Sequence, residues 1–221
     1  MRRTGQTPLA LPELLPLLAL LALLGVPPGL AIAAGSPETS PVRQLGRTVA
    51  QWKDDVAQVV VSYKWTGAHL DEPWMLLDTR ISAAGPAPFE VDREDISLET
   101  PSGARIPLPS QEAAAKGMPN MPFLLKVAAV APDPLNGYFP SATREERLGF
   151  FEIPCTEVVF SRVGVSHWLL VSGWLLFESP KGKWDPGTYT LVVKNKAVDV
   201  RLPFTLPSGV RKDDSGVAVP W

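Results

Sequence analysis

From His167 to Phe177 the sequence alternates with period two, yet both phases are apolar. Leu169, Val171, Leu175 and Phe177 fall on one face of a strand, and Trp168, Leu170, Trp174 and Leu176 fall on the other. A strand of this kind has to be covered twice. Where two sheets stack, the opposing sheet covers one face, so the other needs a loop, a partner subunit or a flat ligand such as a sugar ring. The Pro-rich connection 131–147 is the segment expected to fold over that second face. Gly173, in the middle of the run, is expected to mark a bend or bulge.

The rest of the chain alternates more conventionally. In residues 56–65, Val59, Val61, Tyr63 and Trp65 share one face, with Gln58, Ser62 and Lys64 on the other. Residues 74–81 form a second strand candidate. Residues 95–99 and 105–108 flank Thr100-Pro101-Ser102-Gly103, which predicts a hairpin. Further strands are expected at 123–130, 148–153, 157–162, 166–178, 188–194 and 197–206. Helix signals are few: Ser110 is placed to cap a short helix over 111–116 that Gly117 ends, and Thr143 and Glu146 have capping-box spacing. Alternating polar residues favour antiparallel pairing and a single core.

The ending Trp184-Asp185-Pro186-Gly187-Thr188-Tyr189-Thr190-Leu191-Val192-Val193, followed by Arg201-Leu202-Pro203-Phe204-Thr205-Leu206, resembles the last two strands of immunoglobulin-like and fibronectin type III-like domains of bacterial secreted proteins. The resemblance implies an architecture and carries no activity. The paired cysteines of antibody-type domains are absent. The expected fold is all-β: an antiparallel immunoglobulin-like β-sandwich of about eight strands with one or two short helical turns, preceded by a signal peptide.

That signal is expected in residues 1–34. Arg2 and Arg3 precede the apolar run Leu14 to Leu24, then come Pro27, Pro28 and Gly29, and Ala31-Ile32-Ala33-Ala34 offers small residues for cleavage. The run is shorter than the ~18–20 apolar residues that span a bilayer, so no stable membrane span is expected after cleavage. Residues 35–47 are expected to be a flexible linker, 48–207 the sandwich domain and 208–221 a flexible tail. Export to the periplasm or the extracellular space follows.

With 21 Lys and Arg against 23 Asp and Glu, the 221-residue chain has a net charge of -2 and no basic block, which excludes the electrostatic footprint of a nucleic-acid binder. One Cys excludes an internal disulfide, and two His leave little for a zinc site. Gly164-Val165-Ser166-His167-Trp168 begins like a nucleophile elbow but has Trp where the second Gly is required, so no hydrolase is expected. No cofactor is expected either. Met118 and Met121 have a Met-x-x-Met spacing that could hold copper(I) in an exported protein, against the simpler role of filling gaps in a loop. Cys155, His69 and His167 complete a copper-type ligand inventory without the clustering such a site needs. Trp74, Trp168, Trp174 and Trp184 are candidate ligand-binding residues. Trp168 and Trp174 lie about 20 Å apart along a regular strand, so a sugar platform would need Trp74 or Trp184 between them. The function expected is that of an exported, non-catalytic interaction or structural module for a protein or glycan partner.

Overall fold

The computed structural model describes residues 40–117, 120–152 and 158–208, and within them the chain is mostly β-strand with few helices. The signal-like segment 1–34 and nearly all of the expected tail lie outside the described residues. The first strands form a meander: β1 (Val42–Gln44), β2 (Val49–Lys53), β3 (Ala57–Ser62) and β4 (Trp74–Ala83) pair antiparallel in sequence order. β1 falls inside the expected linker 35–47. It is only three residues long, too short for its alternation to be visible, and Gly46 turns it into β2 at a φ of 92°.

Beyond β4 come β5 (Phe89–Asp92), β6 (Ile96–Glu99) and β7 (Arg105–Pro107), then the helices α2 (Gln111–Gly117) and α3 (Met121–Ala128), numbered after the short α1 (Lys64–Ala68) between β3 and β4. A 3₁₀ turn at Leu135–Tyr138 leads to β8 (Arg144–Arg147), and β9 (Arg162–Val165), β10 (Leu169–Glu178), β11 (Gly187–Lys194) and β12 (Asp199–Leu206) close the chain. A six-stranded sheet has the order β1-β2-β3-β4-β10-β8, a four-stranded sheet the order β12-β11-β6-β7, and β5 pairs with β9 alone. The hairpins expected at 95–108 and 188–206 are present as β6–β7 and β11–β12.

Four expectations are corrected. Residues 123–130 are not a strand. Pro122 opens the first turn of α3, Leu, Lys and Ala favour helix, and Met121, Leu124, Leu125 and Ala128 repeat at helical spacing on the buried side. Residues 148–152 are irregular: Leu148 and Phe150 enter the core on either side of Gly149, which has a φ of 60° and lies under the Phe160 ring. In the stretch 157–162 the strand begins only at Arg162. The sheet is not wholly antiparallel, because β8 runs parallel to β10. β8 is Arg-Glu-Glu-Arg at the sheet edge, and such charges carry no apolar alternation while guarding an edge against further pairing.

The two larger sheets share one apolar cluster. It includes Val59, Val61, Met75, Leu77, Ile81, Val171, Leu175 and Phe177 from the six-stranded sheet and Leu98, Leu191, Val193, Leu202, Phe204 and Leu206 from the four-stranded one. Each fully buried side chain of this size contributes about 1.5–3 kcal/mol. Trp184, Tyr189, Phe204 and Tyr63 form a chain of aromatic contacts through it, with centroids 5.0–6.0 Å apart. The Tyr189 hydroxyl donates to the Asp185 carbonyl at 2.8 Å, and burial, with the Asp185 charge nearby, pushes its pKa up to about 12. Pro203 is tolerated in β12 because that strand is an edge. The Arg93 guanidinium ties three loops to this core, donating to the carbonyls of Pro109, Phe150 and Phe160 and lying 5.0 Å from the Phe151 ring centre.

No bulge occurs at Gly173. β10 and β4 stay in unbroken antiparallel register from Val171 opposite Ile81 to Glu178 opposite Trp74. Glycine is needed there for space, since a Cβ at 173 would sit 2.8 Å from Leu148 Cβ. Gly173→Ala is therefore expected to destabilise the domain by about 1–3 kcal/mol in urea unfolding. Gly164→Ala in β9, where a Cβ meets nothing within 4 Å, is expected to stay within about 0.5 kcal/mol of the parent. Equal effects of the two substitutions would contradict this packing.

Candidate interaction face

The outer face of the six-stranded sheet is built from the residues of β2, β3, β4 and β10 that alternate away from the shared core. Its apolar members fall into two groups. Trp74, Leu76 and Leu176 join Ala114 of α2 and Met121 of α3, with Trp65, Trp174, Leu124, Leu125 and Ala128 packed against them. Val49, Val60 and Leu170 join Leu135 and Phe139 of the 131–147 connection. The second apolar face of β10 is thus closed by two covers: the connection sits over Leu170, and the helices sit over Trp174 and Leu176.

β3 gives way to α1 just where this cover begins, leaving the Leu76 backbone without a strand partner on that side. The Thr66 hydroxyl replaces the partner, donating to Leu76 O at 3.0 Å and accepting from Leu76 N at 2.9 Å. This docking turns Trp65 away from the face of Val59, Val61 and Tyr63 and into the outer cluster, where its ring stacks on His69 at 3.7 Å. His69 is engaged as well, its Nδ1 donating to Trp65 O at 2.8 Å.

Between the two apolar groups runs a polar seam. Asp78 and Arg80 are two apart on β4 and pair with each other, while register places Asp78 beside Ser62 and Arg80 beside Ser172. The cover is fastened to this seam. Arg80 Nε donates to Asn136 Oδ1 at 2.9 Å, and Ser172 Oγ donates to Glu145 Oε1 at 2.6 Å. Asp133 accepts from Ser62 Oγ at 2.6 Å and Thr48 Oγ1 at 3.1 Å, and the Gln58 amide donates to Tyr138 O at 2.7 Å. Burial holds the Asp78 carboxyl above its ordinary range; Arg80 offsets part of that, and the Asp133 and Glu145 charges add to it. Every named carboxylate has an internal partner, so the seam serves as the fastening of the cover.

What α3 (Met121–Ala128) and the turn after it leave outward is apolar too. Phe123, Val127 and Val130, at i, i+4 and i+7, are 67%, 37% and 80% exposed. Sequence reasoning missed this stripe because it assigned 123–130 to a strand; the signal that marks it is Pro122 followed by two interleaved apolar stripes at helical spacing. The four tryptophans singled out from sequence do not form one platform. Trp74 and Trp174 come together under α3, Trp74 buried and Trp174 half-buried. Trp184 is buried in the core on the opposite face of the sheet. Trp168 is 54% exposed, edge-on to His167. Met121 is fully buried in the outer cluster, while Met118 and Cys155 lie outside the described residues. Among the described residues no group of three His, Cys, Asp or Glu side chains is placed to hold a metal ion, and no helix is long and apolar enough to cross a membrane. No protein-family model matches the sequence, and no curated protein or solved structure is significantly similar to it.

The seam makes a titration prediction. Because folding raises the Asp78 pKa, the ionised carboxylate opposes folding, and this cost is relieved as pH falls through the folded value. Followed by carboxyl carbon-13 NMR, the Asp78 midpoint is expected above 3.8 in the parent and higher still in Arg80→Met, which removes the main lowering charge. An unchanged or lower midpoint in the variant would show that Arg80 is not its counter-ion.

Proposed function

We propose that the chain is an exported, non-catalytic interaction module: an immunoglobulin-like β-sandwich in the periplasm or extracellular space whose contact face is the outer side of α3. The exposed stripe of Phe123, Val127 and Val130 carries the proposal. A solvent-facing helix side tolerates polar residues without cost, so a contiguous apolar stripe there is best explained by a contact made in function. The sandwich reading draws support from the core shared by the two larger sheets and from the Tyr189 bond to Asp185, which is similar to the tyrosine corner of such domains. The β1–β4 meander and the parallel β8 are departures from that pattern. Export rests on the signal-like features of residues 1–34. A glycan-binding reading is left with Trp168 as its one well-exposed tryptophan of the four, and a copper-binding reading with a Met121 already enclosed by apolar neighbours.

The test is photo-crosslinking in the producing cell. A benzophenone side chain at position 123 or 130 is expected to give covalent adducts, to protein or lipid, that the same group at exposed Thr188 on β11 does not give. No adduct at either 123 or 130, or the same adducts at all three positions, would overturn the assignment of α3 as the contact face.

A further inference from the structure

We infer that the surface met by α3 is a lipid surface bearing anionic headgroups, a deeper reading that rests on α3 being the contact face. Size favours lipid over a protein partner. Three outward side chains, one of them only 37% exposed, fall well short of the roughly 20–30 residues and ~800 Å² per partner of a standard protein interface, so a stable dimer through this stripe is disfavoured. A bilayer demands no complementary shape. It accepts a few apolar side chains reaching into the boundary between headgroups and acyl chains.

Charge points the same way. From Ala113 to Ala131 the only charged residues are Lys116 and Lys126, both exposed, in a chain whose net charge is -2. Glu112 pairs with Lys116 at 2.6 Å, but both side chains are at least three-quarters exposed, where such a pair is weak. Lys126 has no ion-pair partner among the described residues and sits on α3 itself, between Phe123 and Val127 in sequence. The next acid along the chain, Asp133, is drawn inward by Ser62 and Thr48 and lies 4.0 Å from Lys64. An apolar helix side carrying Lys126, which has no ion-pair partner among the described residues, with its nearest downstream acid engaged elsewhere, matches the chemistry of an anionic membrane surface. The segment is apolar on both sides for two reasons: Met121, Leu124, Leu125 and Ala128 hold the helix to the sheet, and Phe123 and Val127 on the helix, with Val130 in the turn after it, are left for the bilayer. Whole-chain charge hides this, because the acidic residues lie outside the segment.

The experiment uses the processed chain purified from the producing cell, in a Cys155→Ser background, with an environment-sensitive nitrobenzoxadiazole label on a cysteine placed at Val127, or at Thr188 as control. Vesicles of phosphatidylcholine and phosphatidylglycerol in equal parts are expected to brighten and blue-shift the label at 127 and leave that at 188 unchanged. Phe123→Ser with Val130→Ser is expected to raise the lipid needed for half-saturation at least tenfold at an unchanged melting temperature, and Lys126→Ala about fivefold. No response at 127, an equal response at 188, or a midpoint unmoved by the serine pair would overturn the inference. Crosslinks from α3 to protein alone, with no vesicle response, would overturn it while leaving α3 as the contact face. The contrast between 127 and 188 is read without the Phe123 and Val130 substitutions, so it decides the matter even if the serine variant fails to fold.

Discussion

Burial of β10 on both faces organises everything around it. Phe177, Leu175 and Val171 are fully buried against the four-stranded sheet, and Leu176 is fully buried on the reverse side. In an antiparallel sheet one face can be left to solvent, and here that economy is not available. The 109–147 region therefore has a structural task fixed by a strand that comes later in the chain. It crosses the outer face as helix, 3₁₀ turn and edge strand, and its last element pairs alongside β10 itself. Gly173 serves the inner face, in phase with Val171 and Leu175. Its missing side chain leaves room for Leu148, the residue after β8, in the core between the sheets.

Apolar burial alone does not specify where such a cover sits, and the polar seam supplies the register. Asn136, Glu145, Asp133 and the Tyr138 carbonyl each meet a particular partner on the sheet: Arg80, Ser172, Ser62 with Thr48, and Gln58. Hydrogen bonds of this kind contribute about 1 kcal/mol each, while leaving one partner buried and unpaired costs more. A displaced cover would strand several such groups at once. Asp78 stays costly even in place, since burial and two neighbouring carboxylates oppose its ionisation against one offsetting arginine. The contact face on α3 is thus presented by a cover held both by packing and by polar fastening.

Much of this was legible in the sequence. The two apolar phases of 167–177 predicted a doubly covered strand, the alternation of Val59 and Val61 and of residues 188–206 marked core strands, and Ser110 does accept from Ala113 N at the start of α2. What was lost was lost for local reasons. β1, β5 and β8 have three or four residues, too few for a period to register. In 123–130 a short apolar run with β-branched Val127 and Val130 mimics a buried strand, and only Pro122 and the four-residue spacing argue for helix. Leu148 and Phe150 are core residues without a strand, since Gly149 turns the backbone between them. Trp74 and Trp184 were candidates by residue type alone, and the face on which each lands is set by register, which pairs Trp74 with Glu178 and buries it under α3.

The outer side of β10 is core in the same sense as the inner side. Neighbouring leucines test it within one strand: Leu175 belongs to the cluster between the sheets and Leu176 to the cluster under the helices, and both are fully buried. Chemical denaturation of Leu175→Ala and Leu176→Ala should show losses of about 2–5 kcal/mol for each. A loss below about 0.5 kcal/mol for Leu176→Ala, the level of an ordinary surface substitution, would mean that the helices do not cover this face in solution.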